Sequence, residues 1–267
     1  MIINRKLADQ YQQYFKVVNA QSQEMREAAY QLRYQVYCQE FGYERGEDFP
    51  KHRERDEFDD QSYHCLLIHK PTGTAIGYLR LIVGDKSNGS LHMPIEIHCS
   101  QSIDQEKFSL RNLDKNTAGE FSRFVVLSKF RRRKGDERKP YNFRDRQDER
   151  EKMQVQRRIA YPIIPLSLSV AGFALIRQSA LDYGLAMMEP RMAYMLKRYG
   201  IIFKRIGDLV DYHGRRAPYL LLQEETLSRL SPEIDGLLGV IGDELKGGEQ
   251  PSAHLSEPSP NACRLVQ

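Results

Sequence analysis

The sequence predicts an α+β fold, with one mixed central β-sheet flanked by helices. Three observations carry that expectation. β-forming and helical runs follow one another in the order strand, helix, hairpin, strand, helix, strand, helix, hairpin. Glycine and proline punctuate the joins, at Gly42, Pro71, Gly73, Pro190 and Gly200. The composition, 40% hydrophobic over 267 residues, can bury a core and is not that of a disordered polymer.

Taken in order, "YFKVVNA" (14–20) reads as a first strand. From Glu24 to Glu40, Met25, Ala28, Ala29, Leu32 and Val36 recur at helical spacing, and Gly42 supplies the stop. The acidic stretch "RERDEFDD" (53–60) falls in the loop that follows. "SYHCLLIH" (62–69) and "AIGYLRLIV" (75–83) form a hairpin whose turn holds Pro71 and Gly73. Residues 88–118 are polar and irregular except for a short piece at "MPIEI". "AGEFSRFVVL" (118–127) alternates and should be the central strand. An amphipathic helix is expected over 165–184, opened by Pro165 and closed by Gly184. A buried strand at 185–189, a helix at 190–200, and two strands around a turn at His213-Gly214 complete a domain over 1–225. A helical extension is expected at 226–246, and the tail 247–267 has the composition of disorder.

Four cysteines without regular spacing argue for free thiols in a reducing compartment. Two of them follow a histidine, at His64-Cys65 and His98-Cys99. Adjacent residues of a strand point to opposite faces, so no metal site is expected. No apolar run reaches signal-peptide or transmembrane length, and a cytoplasmic protein without stable membrane insertion is the expectation.

The formal charge is only +4, but it is unevenly spread. The insertion 129–158 holds 13 Lys/Arg against 6 Asp/Glu, a local excess of +7 that leaves −3 for the rest. It is either a solvated charged loop or a collar for an acidic partner or phosphate. Acids interleave with bases and aromatics are few, so no nucleic-acid partner is expected. Elsewhere, Arg33 lies close to the apolar stripe of its helix, where a guanidinium needs a carboxylate. The acidic loop offers one, and a bridge from Arg33 to Asp56 or Asp59 is expected. Glu120 and Arg123, three apart on one strand, face opposite sides of the sheet unless a bulge intervenes.

Arg33, Tyr37 and Tyr43, then Glu54-x-Asp56-x-x-Asp59, Arg80 in "GYLRLI", and Glu120 and Arg123 in "GEFSRF" form an ordered set. Over Gln31 to Val126 this set resembles the acyl-homoserine-lactone synthases. It equally resembles the N-acyl amino acid synthases and the acyltransferases associated with exosortase gene clusters. The resemblance implies the GNAT acyltransferase fold and a fatty acyl donor carried on acyl carrier protein, with no bound cofactor. Tyr37 and Tyr43 stand where the lactone synthases carry Phe and Trp, and the spacing from Arg33 to the acids is about two residues longer. The RxxGxG/A pattern, whose backbone N–H groups hold the coenzyme A pyrophosphate, is missing from "VLSKFRRRKGDERK". The balance leans towards the exosortase-associated and N-acyl amino acid branch.

The implied chemistry is attack of an amine on a thioester. Glu120 is the candidate general base, with Arg123 beside it as a catalytic-site residue. Arg33, Tyr37, Tyr43, Glu54, Asp56, Asp59 and Arg80 are implied to shape the site of a small amine. Arg131, Arg132, Arg133 and Lys134 are expected to receive the carrier protein. The alternatives are a lactone synthase using S-adenosylmethionine and a non-catalytic protein of the same fold that binds acyl carriers.

Overall fold

The computed structural model describes residues 6–84, 93–106, 108–131 and 147–246. Arg132, Arg133, Lys134 and the tail 247–267 therefore lie outside the described residues.

The chain opens with a helix that the strand-first reading did not include, α1 (Lys6–Tyr14), which leads straight into β1 (Phe15–Asn19). Ser22 caps α2 (Gln23–Tyr34) by accepting the Met25 N–H. The expected helix over Glu24–Glu40 is in fact two: α2, then a π-helical turn at Gln35–Glu40 that ends before Gly42, at φ +65°. The hairpin β2 (Ser62–His69) and β3 (Thr74–Val83) lies where expected, with Gly73 at φ +65° in its turn. "MPIEI" opens the short helix α3 (Pro94–Cys99), and β4 (Ala118–Val126) is the central strand.

The helix expected over 165–184 is longer and shifted. It is α4 (Gln147–Gln178), so Pro165 sits inside it. Gly184 belongs to the next strand, β5 (Tyr183–Met188). The helix closes instead at Ala180, φ +52°, with the Leu181 N–H returning to Ile176. Ala180 thus takes the left-handed position usually given to glycine. After β5 come α5 (Pro190–Lys197), β6 (Phe203–Arg205), β7 (Val210–Asp211), β8 (Arg215–Leu222), α6 (Gln223–Arg229) and α7 (Pro232–Lys246).

The strands form one mixed sheet in the order β1-β2-β3-β4-β5-β8-β6, with β7 paired to β8. Among the described residues only β4 and β5 run parallel. Their pairing stops at Phe121–Ala186, although β5 continues against β8 as far as Met188 and β4 against β3 as far as Val126. The two strands therefore part half-way, leaving a cleft in the middle of the sheet.

α4 packs on one face. A Cβ at Gly172 would sit 2.6 Å from side-chain atoms of both Leu79 and Phe121, so the glycine permits this close approach. α1 and α7 join the same core: Tyr11, Leu66, Phe173, Leu237 and Ile241 are all buried in it. Glu244 of α7 accepts hydrogen bonds from the Tyr11 hydroxyl at 2.5 Å and the Val17 N–H at 3.0 Å, tying the last helix to the first strand. On the other face a second apolar cluster, including Ile95, Cys99, Leu110, Leu185 and Leu220, lies beside the strand positions that carry Glu120. Among the described residues no helix is long and apolar enough to cross a membrane.

Candidate active site

Glu120 pairs with Ile82 and Leu185, and Ser122 pairs with Arg80. Alternation along the strands puts Glu120, Ser122, Arg80 and, on β2, His64 on the face opposite α4. Arg123 would point away from this face in a regular strand. The register shows why it does not. Arg80 opposes Ser122, but Tyr78 opposes Val125, so two β4 residues stand against one on β3. This bulge, with Arg123 at φ +52°, turns its guanidinium towards Glu54. A left-handed arginine costs conformational energy, which the contacts of its charged end offset.

The acidic loop is organised by its own carboxylates. Asp59 accepts the Asp56 N–H at 2.8 Å, Asp56 accepts the Phe58 N–H at 3.0 Å, and the Glu54 N–H bonds to Tyr30 of α2 at 3.1 Å. These bonds aim the acids inward, whereas Glu57 and Asp60 stay exposed. Arg33, fully buried, donates to Glu54 and Asp59 at 2.5 Å each, and its Nη2 lies 3.9 Å from Asp56. Arg80, also fully buried, donates to Asp59 at 2.7 Å, to both oxygens of Asp56, and to Ser122 at 3.0 Å. Arg123 reaches Glu54 and Asp56 at 3.0 Å each, with Glu44 at 3.7 Å. The expected Arg33–Asp59 bridge is present, but as one strut of a lattice of three guanidinium groups and three carboxylates.

Burial alone would raise the pKa of these acids. For Asp59 the neighbouring Arg33 and Arg80 overcome that and hold it well below the usual carboxylate range; for Glu54, Arg33 and Arg123 overcome it and lower the pKa. His64 lies under the lattice, its Nε2 2.8 Å from the Asp59 carbonyl and its Nδ1 2.7 Å from the Tyr78 hydroxyl. A carbonyl only accepts, so Nε2 carries the proton and Tyr78 donates to Nδ1. Burial pushes the imidazole down to about 4, which fits this neutral tautomer.

Glu120 is the opposite case. It is 3% exposed and has no ion pair among the described residues; its one hydrogen bond is from the Ile95 N–H at 3.0 Å. Burial pushes its carboxyl up to about 8, a rise that the Ile95 N–H and the more distant Arg80 and Arg123 only moderate. It sits where β4 and β5 are about to part, so a proton acceptor tuned near neutrality lies beside the cleft.

Tyr37, buried on the π-helical turn, and Tyr43 stand 5.9 Å apart, ring centre to ring centre. Arg123 lies 5.1 Å over the Tyr37 ring. The β7–β8 turn folds onto them: His213 is 4.9 Å from Tyr43 and 3.8 Å from the Glu44 carboxylate, and Tyr212 stacks on His98 at 5.2 Å. Sequence reading missed Glu44, His64, Tyr212 and His213. Only the turn signal at His213-Gly214 was visible, and nothing local says which distant loop it meets.

The family model described as an acetyltransferase (GNAT) domain matches residues 32–138. That span contains the arginine–carboxylate lattice, the bulge and Glu120. The chain has the GNAT fold. Among solved structures, TofI in a ternary complex with an inhibitor and MTA aligns at TM-score 0.53 and 16% identity, covering 82% of this chain and 98% of TofI. FeeM, an N-acyl amino acid synthase from uncultured soil microbes, aligns at 0.52 and 14%, covering 82% and 96%. BjaI, a CoA-dependent acyl-homoserine lactone synthase with SAM and isopentyl-CoA, aligns at 0.51 and 16%, covering 86% and 89%. No curated protein matches the sequence. In this GNAT fold the segment just after β4 is engaged by the chain itself. Glu40, on the π-helical turn, accepts the Ser128 N–H at 3.1 Å and its hydroxyl at 2.9 Å, and pairs with Arg131. Arg131 also lies 4.1 Å over Phe41.

Proposed function

We propose that the protein is an N-acyltransferase that moves a fatty acyl group from a phosphopantetheine thioester to the amine of an amino acid or similar small amine. The observation that carries this reading is Glu120, a buried carboxylate with no ion pair among the described residues, raised to about 8 at the mouth of the β4–β5 cleft. An ammonium cannot attack a carbonyl; it must first lose a proton. Glu120 takes it, directly or through a water, and the freed lone pair forms the C–N bond. The tetrahedral oxyanion is met by backbone N–H groups where β4 has left β5. Collapse breaks the C–S bond, the departing sulfur takes the second proton that the attacking nitrogen sheds, and Glu120 returns its own to solvent, leaving amide plus thiol. Arg123 is a positioning residue whose bulge shapes the cleft. Arg33, Arg80, Glu54, Asp56 and Asp59 hold the lobe that carries Tyr37 and Tyr43, which line the amine side.

Acyl carrier protein is the donor proposed here, supported by the missing glycine pattern and the charge of 129–158. BjaI, described as CoA-dependent, makes acyl-CoA the donor to test against it. BjaI also holds SAM, so S-adenosylmethionine is the alternative amine. The deciding experiment is expression in a bacterial host with mass spectrometry of lipid extracts, comparing the protein with Glu120→Gln. An N-acyl amino acid present only with Glu120 is the expected result. Homoserine lactones would move the protein to the other branch, and no acyl product would end the reading. Charge reversal at Arg132 and Arg133, which spares the Arg131–Glu40 pair, should weaken carrier-protein use and steepen its salt dependence.

A further inference from the structure

Arg33, Arg80 and Arg123 are matched by Glu54, Asp56 and Asp59, so the lattice has no charge left over for an anionic ligand. A fourth guanidinium faces the same space. Arg216 lies on β8, where Leu220 pairs with Leu185 and Leu185 with Glu120. Residues 216, 218 and 220 share a strand face, so Arg216 and Glu120 look to the same side of the sheet, from strands two places apart. Arg216 lies about 13 Å along β8 from Leu220, towards the end where β4 and β5 have separated.

Its surroundings are unlike those of the other three. Arg216 is half-buried and 6.0 Å from the centre of the Tyr43 ring, and its Nε is buried with no hydrogen-bond partner. Among the described residues no carboxylate lies within ion-pair distance of it. Glu44, the acid beside the aromatic group, is turned to Arg123 at 3.7 Å and His213 at 3.8 Å. Its neighbour Arg215 is exposed, and stands opposite Asp211 on β7. A half-buried guanidinium beside a cleft, with a donor unused and no counter-charge, is suited to an anion that arrives with the substrate.

We propose that Arg216 binds the carboxylate of the acceptor, and that the acceptor is therefore a free amino acid rather than a neutral amine or an amide. The zwitterion lies between Glu120, which takes a proton from its ammonium end, and Arg216, which holds its carboxylate, with Tyr43 alongside. The proposal rests on the acyltransferase reading of the same cleft and adds the substrate class to it.

The test pairs a change in the protein with a change in the substrate. Acylation of the proteinogenic amino acids and of their primary amides is measured for the wild type, Arg216→Gln and Arg216→Lys, with palmitoyl-loaded carrier protein and with palmitoyl-CoA. The wild type should prefer the acids. Arg216→Gln should raise KM for the acids about 10- to 100-fold while moving the amides less than about threefold, and Arg216→Lys should restore part of the loss. Equal losses on acids and amides would reduce Arg216 to a support for Tyr43 and overturn the proposal. A rise confined to the donor KM would assign Arg216 to the donor's phosphate and overturn it as well. Calorimetric binding of the same amino acids without donor keeps the two readings apart. Arg216-dependent binding with no acyl transfer would uphold the carboxylate site and sink the transferase reading. Transfer that ignores the carboxylate would do the reverse.

Discussion

Glu54 and Glu120 are both glutamates buried on the same face of one sheet, yet their environments drive them apart. Glu54 touches two guanidinium groups and is held below the usual carboxylate range. Among the described residues Glu120 has one hydrogen-bond partner, a backbone N–H, lies beside an apolar cluster, and is raised to about 8. Burial penalises both charges; only the partners differ. The lesson is that a matched carboxylate in this protein builds the site, and the unmatched one is free to exchange a proton.

The largest effect should come from the unmatched acid. Glu120→Gln keeps the shape and the Ile95 hydrogen bond but removes basicity, and should lower kcat by about 10²- to 10⁴-fold. The wild-type rate should climb with pH and level off above about 8, because the base must be deprotonated. A flat profile from acid to alkaline pH, or near wild-type turnover of the variant, would break the contrast.

Next comes the matched side. Arg33→Ala leaves three buried carboxylates with only Arg80 and Arg123 to match them and should cost about 3–5 kcal/mol, read as a shift in denaturant midpoint. The pH dependence follows from the depressed pKa values. Stability contributed by Glu54, Asp56 and Asp59 is complete above the ordinary carboxylate range. It is lost as pH falls below about 4, through their lower folded values. An acid-unfolding curve that Arg33→Ala leaves unmoved would show the lattice to be energetically idle.

A smaller effect has the opposite sign. Because its folded pKa is raised, Glu120 makes the wild type lose stability as pH rises from the ordinary carboxylate range towards about 8. Glu120→Gln escapes that loss, so the variant should melt higher. The gap should open with pH and reach a few kcal/mol at most. A variant that melts lower at pH 8 than the wild type would mean the carboxylate is better satisfied than its contacts imply. The smallest effect belongs to Glu57 and Asp60, exposed members of the same acidic run. Neutralising either should change stability by less than about 0.5 kcal/mol, and a larger loss would undo the separation of inward from outward acids.

Most strands were legible because β-branched and apolar runs broken by Gly and Pro encode them locally, as in the hairpin 62–83, whereas 203–225, read as two strands, holds three and the start of α6. Helix limits were less legible. Pro165 signals a start only when nothing upstream continues the helix, and α4 does continue upstream. The helix before β1 and the π-helical turn left no signature in spacing. The buried chemistry followed the same rule: Arg33 near an apolar stripe announced its need for an acid, and the acidic loop answered.

By itself, then, the sequence determined the α+β class, the identity of the central strand, and the demand for carboxylates around Arg33. The tertiary structure decided which carboxylates were spent. The bulge that turns Arg123 back towards Glu54, the parting of β4 from β5 beside Glu120, and the meeting of the His213 turn with Tyr43 join residues far apart in the chain. A side chain's charge state depends on what surrounds it in space, and that is settled only when the distant segments have packed.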